Sequence, residues 1–108
     1  MALTKAFRDT VRARAQQDAP FRRALLAEAG SALVQGDADV ARALLRDYIN
    51  AALGFETLAD TSGIAVKSLH RMFGVQGNPT LSNLARVLQV LNQQEGIVPN
   101  VSVRSVEV

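Results

Sequence analysis

The sequence lacks cysteine, and this absence removes several kinds of chemistry. None of the 108 residues is Cys, which excludes disulfides, cysteine–zinc sites and thiol catalysis and permits a reducing compartment. His70 is the single histidine, so no histidine cluster can form. Without thiolates or paired imidazoles we expect no transition-metal site, and we expect no cofactor.

Long apolar runs are also missing. The opening residues MALTKAFRD contain no stretch of signal-peptide length, and no segment approaches the roughly 20 apolar residues that span a bilayer. We therefore expect a cytoplasmic protein with no membrane partner. A length of 108 residues with an apolar fraction of 48% is typical of one compact domain with a buried core.

The net charge is small but unevenly distributed. The formal charge is +2, yet six of the twelve basic residues precede Ala24. Residues 24–60 hold two basic residues against six acids. Lys5, Arg8 and Arg12 share one face of a predicted helix. This basic face suits solvent, DNA phosphates or an acidic partner, and composition alone does not choose among them.

Catalytic signatures are missing as well. No serine, histidine and acid arrangement is visible, and GSALVQGD lacks the lysine and the spacing of a P-loop. The acids fall at predicted helix starts or exposed positions, namely Asp37, Asp39, Asp47, Glu56 and Asp60. The sequence therefore predicts a protein that is not an enzyme.

The spacing of apolar residues predicts an all-α fold of five to six short helices. Leu3, Phe7 and Val11 recur every four residues on a first helix that begins near Thr4.

Turn and cap residues divide the next part of the chain. Asp18 is the expected N-cap of a second helix, with Pro20 in its first turn. Gly36 ends that helix, Asp37 caps a third, and Gly54 ends the third. The residues expected to face inward are Phe21, Leu25, Ala29, Leu33, Val40, Leu44, Ala51 or Ala52 and Leu53, with Tyr48 alongside.

From Phe55 the predicted elements become short, which indicates a helix-turn-helix. FETLADT is about two helical turns, SGI is a turn, and AVKSLHRMF is about two and a half turns. Gly63 can adopt the positive φ that the turn needs, and Ala59 is small where the helices would cross. Two positions depart from the usual pattern: Ser62 replaces an apolar residue and Ala65 replaces a serine or threonine N-cap. The apolar residues expected to dock on the core are Leu58, Ile64, Leu69 and Met72.

Together, ETLADTSGI, KSLHRMF and GNPTLSNL resemble the Xre or Cro type of helix-turn-helix regulator, and more narrowly the addiction-module antidote and prophage-type DNA-binding proteins. The specific part of the resemblance covers residues 55–95, and LLRDYINAALGFE is similar to one subgroup. In that group a reading helix precedes a Gly-Asn-Pro loop and a helix with apolar residues spaced as in Leu81, Leu84, Leu88 and Leu91. The resemblance implies a repressor that binds operator DNA as a homodimer and in some cases neutralises a toxin protein.

Helical spacing separates the readers from the packing residues. In a helix over 66–73, Lys67, His70 and Arg71 lie on the side away from the core. Lys67 and Arg71 are the expected principal contacts, since both side chains donate to guanine O6 and N7. Ser68 and His70 are expected to contribute secondarily, and Val66 to touch a thymine methyl. The structural alternative is a solvated pair of cations.

The following loop is expected to position the DNA backbone. Gln76, Asn78 and Thr80 could hold a phosphate together with the amides that begin the next helix. Asn78 and Pro79 also suit a simple turn, which is compatible with phosphate contact.

The last stretch, GIVPNVSVRSVEV, changes period. Val101 and Val103 alternate, then Val106 and Val108 alternate in the opposite phase, so one strand needs a bulge near Arg104 to keep a single apolar face. We expect this C-terminal β-strand to pair with the same segment of a second chain, ahead of pairing within its own chain or a frayed tail.

The predicted organisation is a single domain in three parts: an N-terminal helical part at 1–54, a DNA-binding part at 55–95, and a strand or tail at 96–108. The alternative is a module that binds a protein, such as a toxin, through its basic N-terminal helix and valine-rich tail. Salt dependence separates these functions, because a DNA binder loses affinity steeply as salt rises.

Overall fold

The computed structural model describes residues 5–107, apart from the side chains of Arg8 and Val11. The described chain is helical and contains no strand, which confirms the all-α prediction. Its helices are α1 (Lys5–Gln17), α2 (Ala19–Val34), α3 (Ala38–Ala52), α4 (Phe55–Ser62), α5 (Val66–Met72) and α6 (Leu81–Glu95). The predicted start near Thr4, Leu3 of the first apolar face and Val108 of the tail lie outside the described residues.

The predicted boundaries in the N-terminal half are confirmed by their caps. Asp18 Oδ1 accepts the N–H of Phe21 at 3.0 Å, and Asp37 Oδ1 accepts the N–H of Val40 at 3.2 Å. Each carboxylate therefore satisfies an amide that has no intrahelical acceptor. Gly54 separates α3 from α4 with a φ of 85°, a value that a residue with a Cβ rarely adopts.

The core is one cluster of buried side chains to which α2, α3, α4, α5 and α6 all contribute. α2 packs along α3, α1 contacts both, and α4 contacts α5 and α6. The largest fully buried side chains are Tyr48, Phe73, Ile49, Leu58, Leu69, Leu91 and Val87. None of the described helices is long and apolar enough to cross a membrane.

Two predicted core positions are wrong, and Phe7 of the predicted first apolar face is 53% exposed. Val40 is 45% exposed and Leu81 is 83% exposed. Both belong to the first turn of a helix, Val40 in α3 and Leu81 in α6. Apolar periodicity identifies the inward side of a helix but not where its packing neighbour stops. Val40 lines an open groove between α2 and α3 instead of being buried.

The predicted C-terminal strand is not found in the single chain. Residues 97–107 form no helix, turn or strand, and Val98, Val101, Val103 and Val106 remain 68–91% exposed. A strand requires a neighbour for its main-chain hydrogen bonds. The described residues provide no such neighbour, so the predicted strand is not supported and the less favoured alternative, pairing within the same chain, is wrong.

Candidate nucleic-acid interface

α4 and α5 have the predicted geometry of two helices joined by a short turn at residues 63–65. Gly63 has a φ of 75°, and its N–H donates to Ala59 O at 3.0 Å. Leu58 and Leu69 are fully buried and Ile64 is 8% exposed. The glycine turn therefore places α5 with one apolar side against the core and the other side outward.

The two departures from the usual pattern have different structural outcomes. Ser62 is buried, and its Oγ accepts the N–H of Ile64 at 3.2 Å. The hydroxyl therefore satisfies a main-chain donor inside the turn, which explains a polar residue at this position. Ala65 gives α5 no side-chain cap. The missing cap predicted from the sequence is confirmed.

The outward side of α5 carries three of the predicted reading residues. Lys67, His70 and Arg71 are exposed, whereas Val66 and Ser68 are half-buried. Val66 packs against the core, which leaves only part of its side chain for a thymine methyl. The structure thus brings the three longest candidate side chains to one surface and sets the two shorter ones deeper.

His70 is held by a ring contact that the sequence did not indicate. Its ring stacks on Phe55 with centroids 4.4 Å apart and an interplanar angle of 29°. Phe55 lies beside Phe73 in turn, at 6.2 Å between ring centroids. One face of the imidazole is therefore covered by the first residue of α4, while the residue as a whole stays exposed.

Two arginines of α3 hold the loop that follows α5. Arg42 Nη1 donates to Gly77 O at 3.1 Å and Arg42 Nη2 donates to Val75 O at 2.9 Å. Arg46 Nη1 donates to Phe73 O at 3.4 Å. Sequence reasoning missed both arginines. The local signal was weak, since only the Asp39–Arg42 pair at helical spacing pointed to Arg42.

The same loop passes close to the C-terminal end of α5. A Cβ on Gly77 would overlap the main-chain carbonyl of Met72, and a Cβ on Gly74 would lie 3.3 Å from His70 O. The loop therefore requires a glycine at position 77. Together with the arginine contacts, this close approach fixes the position of the end of α5.

The predicted phosphate-contacting residues lie on or beside this loop. Gln76, Asn78 and Thr80 are exposed. Thr80 is also the N-cap of α6, where its Oγ1 accepts the N–H of Asn83 at 3.1 Å. Its oxygen is therefore engaged, but its hydroxyl hydrogen can still be donated.

Most described arginines are engaged within the chain. Arg12 Nε donates to Asn50 O at 2.9 Å, and Arg14 Nε lies 3.7 Å from Asp18 Oδ2. Arg22 and Arg23 both contact Glu95. Four of the six N-terminal basic residues are thus engaged within the chain. Of the basic face predicted for α1, Arg12 is engaged, Lys5 stays exposed, and the Arg8 side chain lies outside the described residues. Among the described side chains, the cations without an ion pair or hydrogen bond are Lys5, Lys67, Arg71, Arg86 and Arg104.

A buried polar cluster joins the N-terminal helices to the end of α6. The Glu95 side chain is 3% exposed. Its Oε1 accepts Arg22 Nε and the Tyr48 hydroxyl, each at 2.6 Å. Arg22 Nη1 also donates to Ala15 O at 2.6 Å. No local sequence pattern reveals this cluster, because its members come from three separate helices.

The cluster shifts the pKa of its acidic groups in opposite directions. Burial raises the pKa of Glu95, but hydrogen bonds from Arg22 and Tyr48 outweigh burial and leave that pKa below its usual value. Burial, assisted by the hydrogen bond to Glu95, raises the pKa of Tyr48. The carboxylate is therefore held ionised and the phenol neutral.

No family model matches this chain, and neither a curated protein nor a solved structure matches it. The candidate site is thus defined by its own geometry. It is a short, firmly held helix on the surface of an all-α domain, with two exposed cations one helical turn apart that have no partner among the described residues.

Proposed function

We propose that the protein is a sequence-specific DNA-binding transcription regulator, a repressor that inserts α5 into the major groove as a homodimer. The observation that carries this proposal is the position of Lys67 and Arg71 on the outward side of α5, the second helix of the helix-turn-helix. Both are exposed and lack an intramolecular partner among the described residues, while Arg22, Arg42 and Arg46 are occupied. Cations held on the open face of a short helix suit base edges and phosphates.

Each predicted residue has a role in this proposal. Arg71 donates both guanidinium arms to guanine O6 and N7, and Lys67 donates to a neighbouring guanine or a phosphate. The edge of His70 and the hydroxyl of Ser68 make secondary contacts, and the exposed part of Val66 meets a thymine methyl. The residues that position the DNA backbone are Gln76, Asn78 and Thr80.

The homodimer sets the spacing of the reading helices. Two α5 helices reach successive major grooves on one side of B-DNA when they are about 34 Å apart. A two-fold symmetric protein therefore reads a palindromic operator. The exposed valine-rich tail is the segment that this proposal assigns to the contact between subunits.

A matched pair of lysine variants tests the DNA-binding proposal. Sequences selected from a random duplex pool provide the operator, and affinity is then measured by electrophoretic shift over a range of salt. Lys67→Ala should weaken operator binding and reduce the slope of log affinity against log salt by about 0.9 for each lost phosphate contact. Lys5→Ala, which also removes an exposed unpaired lysine, should leave both unchanged. Wild-type protein that selects no sequence would contradict the proposal.

A second candidate function is supported by the exposed valines. Val98, Val101, Val103 and Val106 lie on an uncovered arm, and contiguous exposed apolar surface marks interaction sites. The protein would then bind another protein, for example a toxin that it neutralises. Two results together would favour this function over DNA binding. Wild-type protein would show no salt-sensitive binding to duplex DNA, and it would capture a protein partner only when residues 98–107 are present.

A further inference from the structure

The exposed tail has a symmetric arrangement of valines. Ser102 is the centre of this arrangement: Val101 and Val103 lie one residue from it, and Val98 and Val106 lie four residues from it. All four are at least 68% exposed, and residues 97–107 contain no helix or turn and no non-glycine residue with positive φ. The arm is therefore apolar, uncovered and free of local structure that competes with a strand.

We infer that residues 98–106 pair with the same residues of a second copy of this chain, as an antiparallel ribbon whose two-fold axis passes between the two Ser102 residues. In this register Val101 lies opposite the partner's Val103, and Val98 lies opposite the partner's Val106. Directly opposed side chains are the unit of stabilisation in a sheet. Each of the four valines thus meets a valine.

The other symmetric registers leave valines unmatched or oppose like charges. A two-fold axis at Arg104 places two guanidinium groups face to face, which is unfavourable. An axis at Val101 places Val98 opposite the partner's Arg104, and an axis at Val103 places Val101 opposite the partner's Ser105. The centre at Ser102 is therefore preferred on both packing and charge.

This register also removes the need for a bulge. Side chains alternate between the two faces of a strand. Val101 and Val103 of both copies then form one central patch of four valines, whereas Val98 and Val106 pair on the other face near the ends of the ribbon. The valines change from odd to even positions along the tail, which does not suit a strand with a single apolar face. It does suit a two-fold ribbon with apolar groups on both faces.

Pro99 fixes which residues form the ladder hydrogen bonds. Proline has no N–H, so it must occupy a pair whose main-chain groups point away from the neighbouring strand. Hydrogen-bonded and non-hydrogen-bonded pairs alternate along an antiparallel ladder. Ser102, three residues from Pro99, is then in a hydrogen-bonded pair, and its Cα lies about 5.5 Å from the partner's Ser102 Cα.

The root of the arm supplies further apolar surface. Ile97 N–H donates to Asn92 O at 3.0 Å, and Gly96 ends α6 with a φ of 65°, so the arm leaves the body in a defined direction. Beside this root lies an apolar groove lined by α6 and the arm itself, with Ala85, Leu88, Ile97, Val98 and Pro99 among its residues. The groove can receive the end of the partner's strand.

The available area fits a dimer that uses both features. Area bookkeeping assigns roughly 60–120 Å² to each buried valine, or about 500–1,000 Å² for the eight valines of two arms. Stable interfaces bury about 1,200–2,000 Å² in total. The ribbon main chain and the groove along α6 supply the remaining buried area. The valines of the arms alone bury too little for a stable dimer, so the groove is part of the interface.

Single cysteines test this register directly, because the natural chain contains none. The two Cα atoms at position 102 are close enough for a disulfide, which spans about 4.4–6.8 Å between Cα atoms. Under mild oxidation Ser102→Cys should form covalent dimers at least tenfold faster than Ser105→Cys. The control position lies opposite the partner's Pro99, which places its two thiols roughly 20 Å apart along the ribbon.

A pair of charge variants provides an independent readout. Val101→Lys and Val103→Glu should each give a monomer in light scattering at tens of micromolar, since each introduces two charges into the apolar patch. Mixing the two variants should restore a dimer, because the introduced lysine then faces the introduced glutamate.

The outcomes are distinct from those for DNA binding, because no DNA is present. Equal oxidation rates at positions 102 and 105, or a mixture of charge variants that stays monomeric, would overturn the register. A wild-type monomer at tens of micromolar would overturn the ribbon itself. This inference rests on the proposed function only for its homodimer, and a failure to select an operator would leave these measurements unaffected.

Discussion

At Gly77 the chain passes so close to the end of α5 that an added Cβ would overlap the Met72 carbonyl. Gly77→Ala should therefore lower the free energy of unfolding by about 1–3 kcal/mol, the usual cost of overpacking. Gly30→Ala is the matched control, because Gly30 lies in α2 and a Cβ added there would meet nothing within 4 Å. That control should raise the free energy of unfolding by about 0.5–1 kcal/mol. Urea unfolding measures both, and a neutral Gly77→Ala would contradict the close approach.

Arg71 is the residue on which base recognition depends in the proposed complex. Arg71→Ala should weaken specific binding by about 1–3 kcal/mol. Arg71→Lys keeps the charge but loses the two-armed contact, so it should relax the base preference more than it reduces the salt dependence. Arg86→Ala, which removes another exposed unpaired arginine, is the control for charge. An electrophoretic shift unchanged by Arg71→Ala would remove Arg71 from the reading surface.

Residues that act on their immediate neighbours could be predicted from the sequence. Asp18 and Asp37 cap the helices that follow them, and Gly63 makes the expected left-handed turn. Their effects depend on a few adjacent amides or on their own φ. Leu81 was mispredicted because its burial depends on whether a distant element reaches the first turn of α6.

Among the elements, α3 has a second function beyond its core face: it holds the loop after α5. The Arg42 side chain is 17% exposed and contacts two loop carbonyls and Asp39. Arg42→Ala should lower the free energy of unfolding by about 1.5–3 kcal/mol, because hydrogen bonds from a charged group to two carbonyls are lost. Hydrogen exchange at amides 73–77 should accelerate, and operator affinity should fall with it.

A control for Arg42 is available on the same helix. Asp39→Ala removes only the exposed partner of the Asp39–Arg42 pair, and exposed ion pairs contribute little. It should leave loop exchange and operator affinity nearly unchanged. Equal exchange in Arg42→Ala and wild type would show that the close packing of Gly77, rather than the guanidinium, holds the loop.

Element type and order were predictable, whereas contacts between elements were not. The short helices from Phe55 onward were visible in their apolar spacing and in the Gly63 turn. The contact between Arg42 and Gly77 spans 35 positions and leaves no local periodic signal. The candidate readers were thus predicted from helical phase, but the residues that hold α5 in place were found only in the structure.

On the scale of the whole molecule, the Arg22–Tyr48–Glu95 cluster predicts a specific acid sensitivity. The folded state lowers the pKa of Glu95. The resulting stability is therefore fully present above the pKa of an unfolded glutamate, about 4.3, and is lost as pH falls through the lower folded value. Glu95→Gln should reduce the loss of stability at low pH, measured as the free energy of unfolding from pH 7 to pH 2.

The same variant should also be costly at neutral pH. Glu95→Gln leaves the partly buried Arg22 without its carboxylate, and the loss of one partner of a buried pair costs about 3–5 kcal/mol. Glu28→Gln, at an exposed position of α2, is the control for the change in net charge. Unfolding curves for Glu95→Gln that keep the wild-type pH dependence would show that another group produces the loss of stability at low pH.

The whole-molecule charge distribution could not be predicted from the sequence. Half of the basic residues lie near the N-terminus, which suggested a basic surface there. In the structure Arg22 and Arg23 contact Glu95, and Arg12 contacts Asn50 O. Linear charge counts do not reveal which cations are already paired by residues far along the chain.

The separation of the cluster in sequence also has a consequence for biosynthesis. Glu95 is 73 residues after Arg22 and 47 after Tyr48. At 5–20 residues per second, the ribosome adds Glu95 roughly 4–15 s after Arg22. The first three helices can associate during this interval, but their polar partner has not yet been made. If the protein is the regulator proposed above, we therefore expect nascent chains that stop before Glu95 to bind no operator.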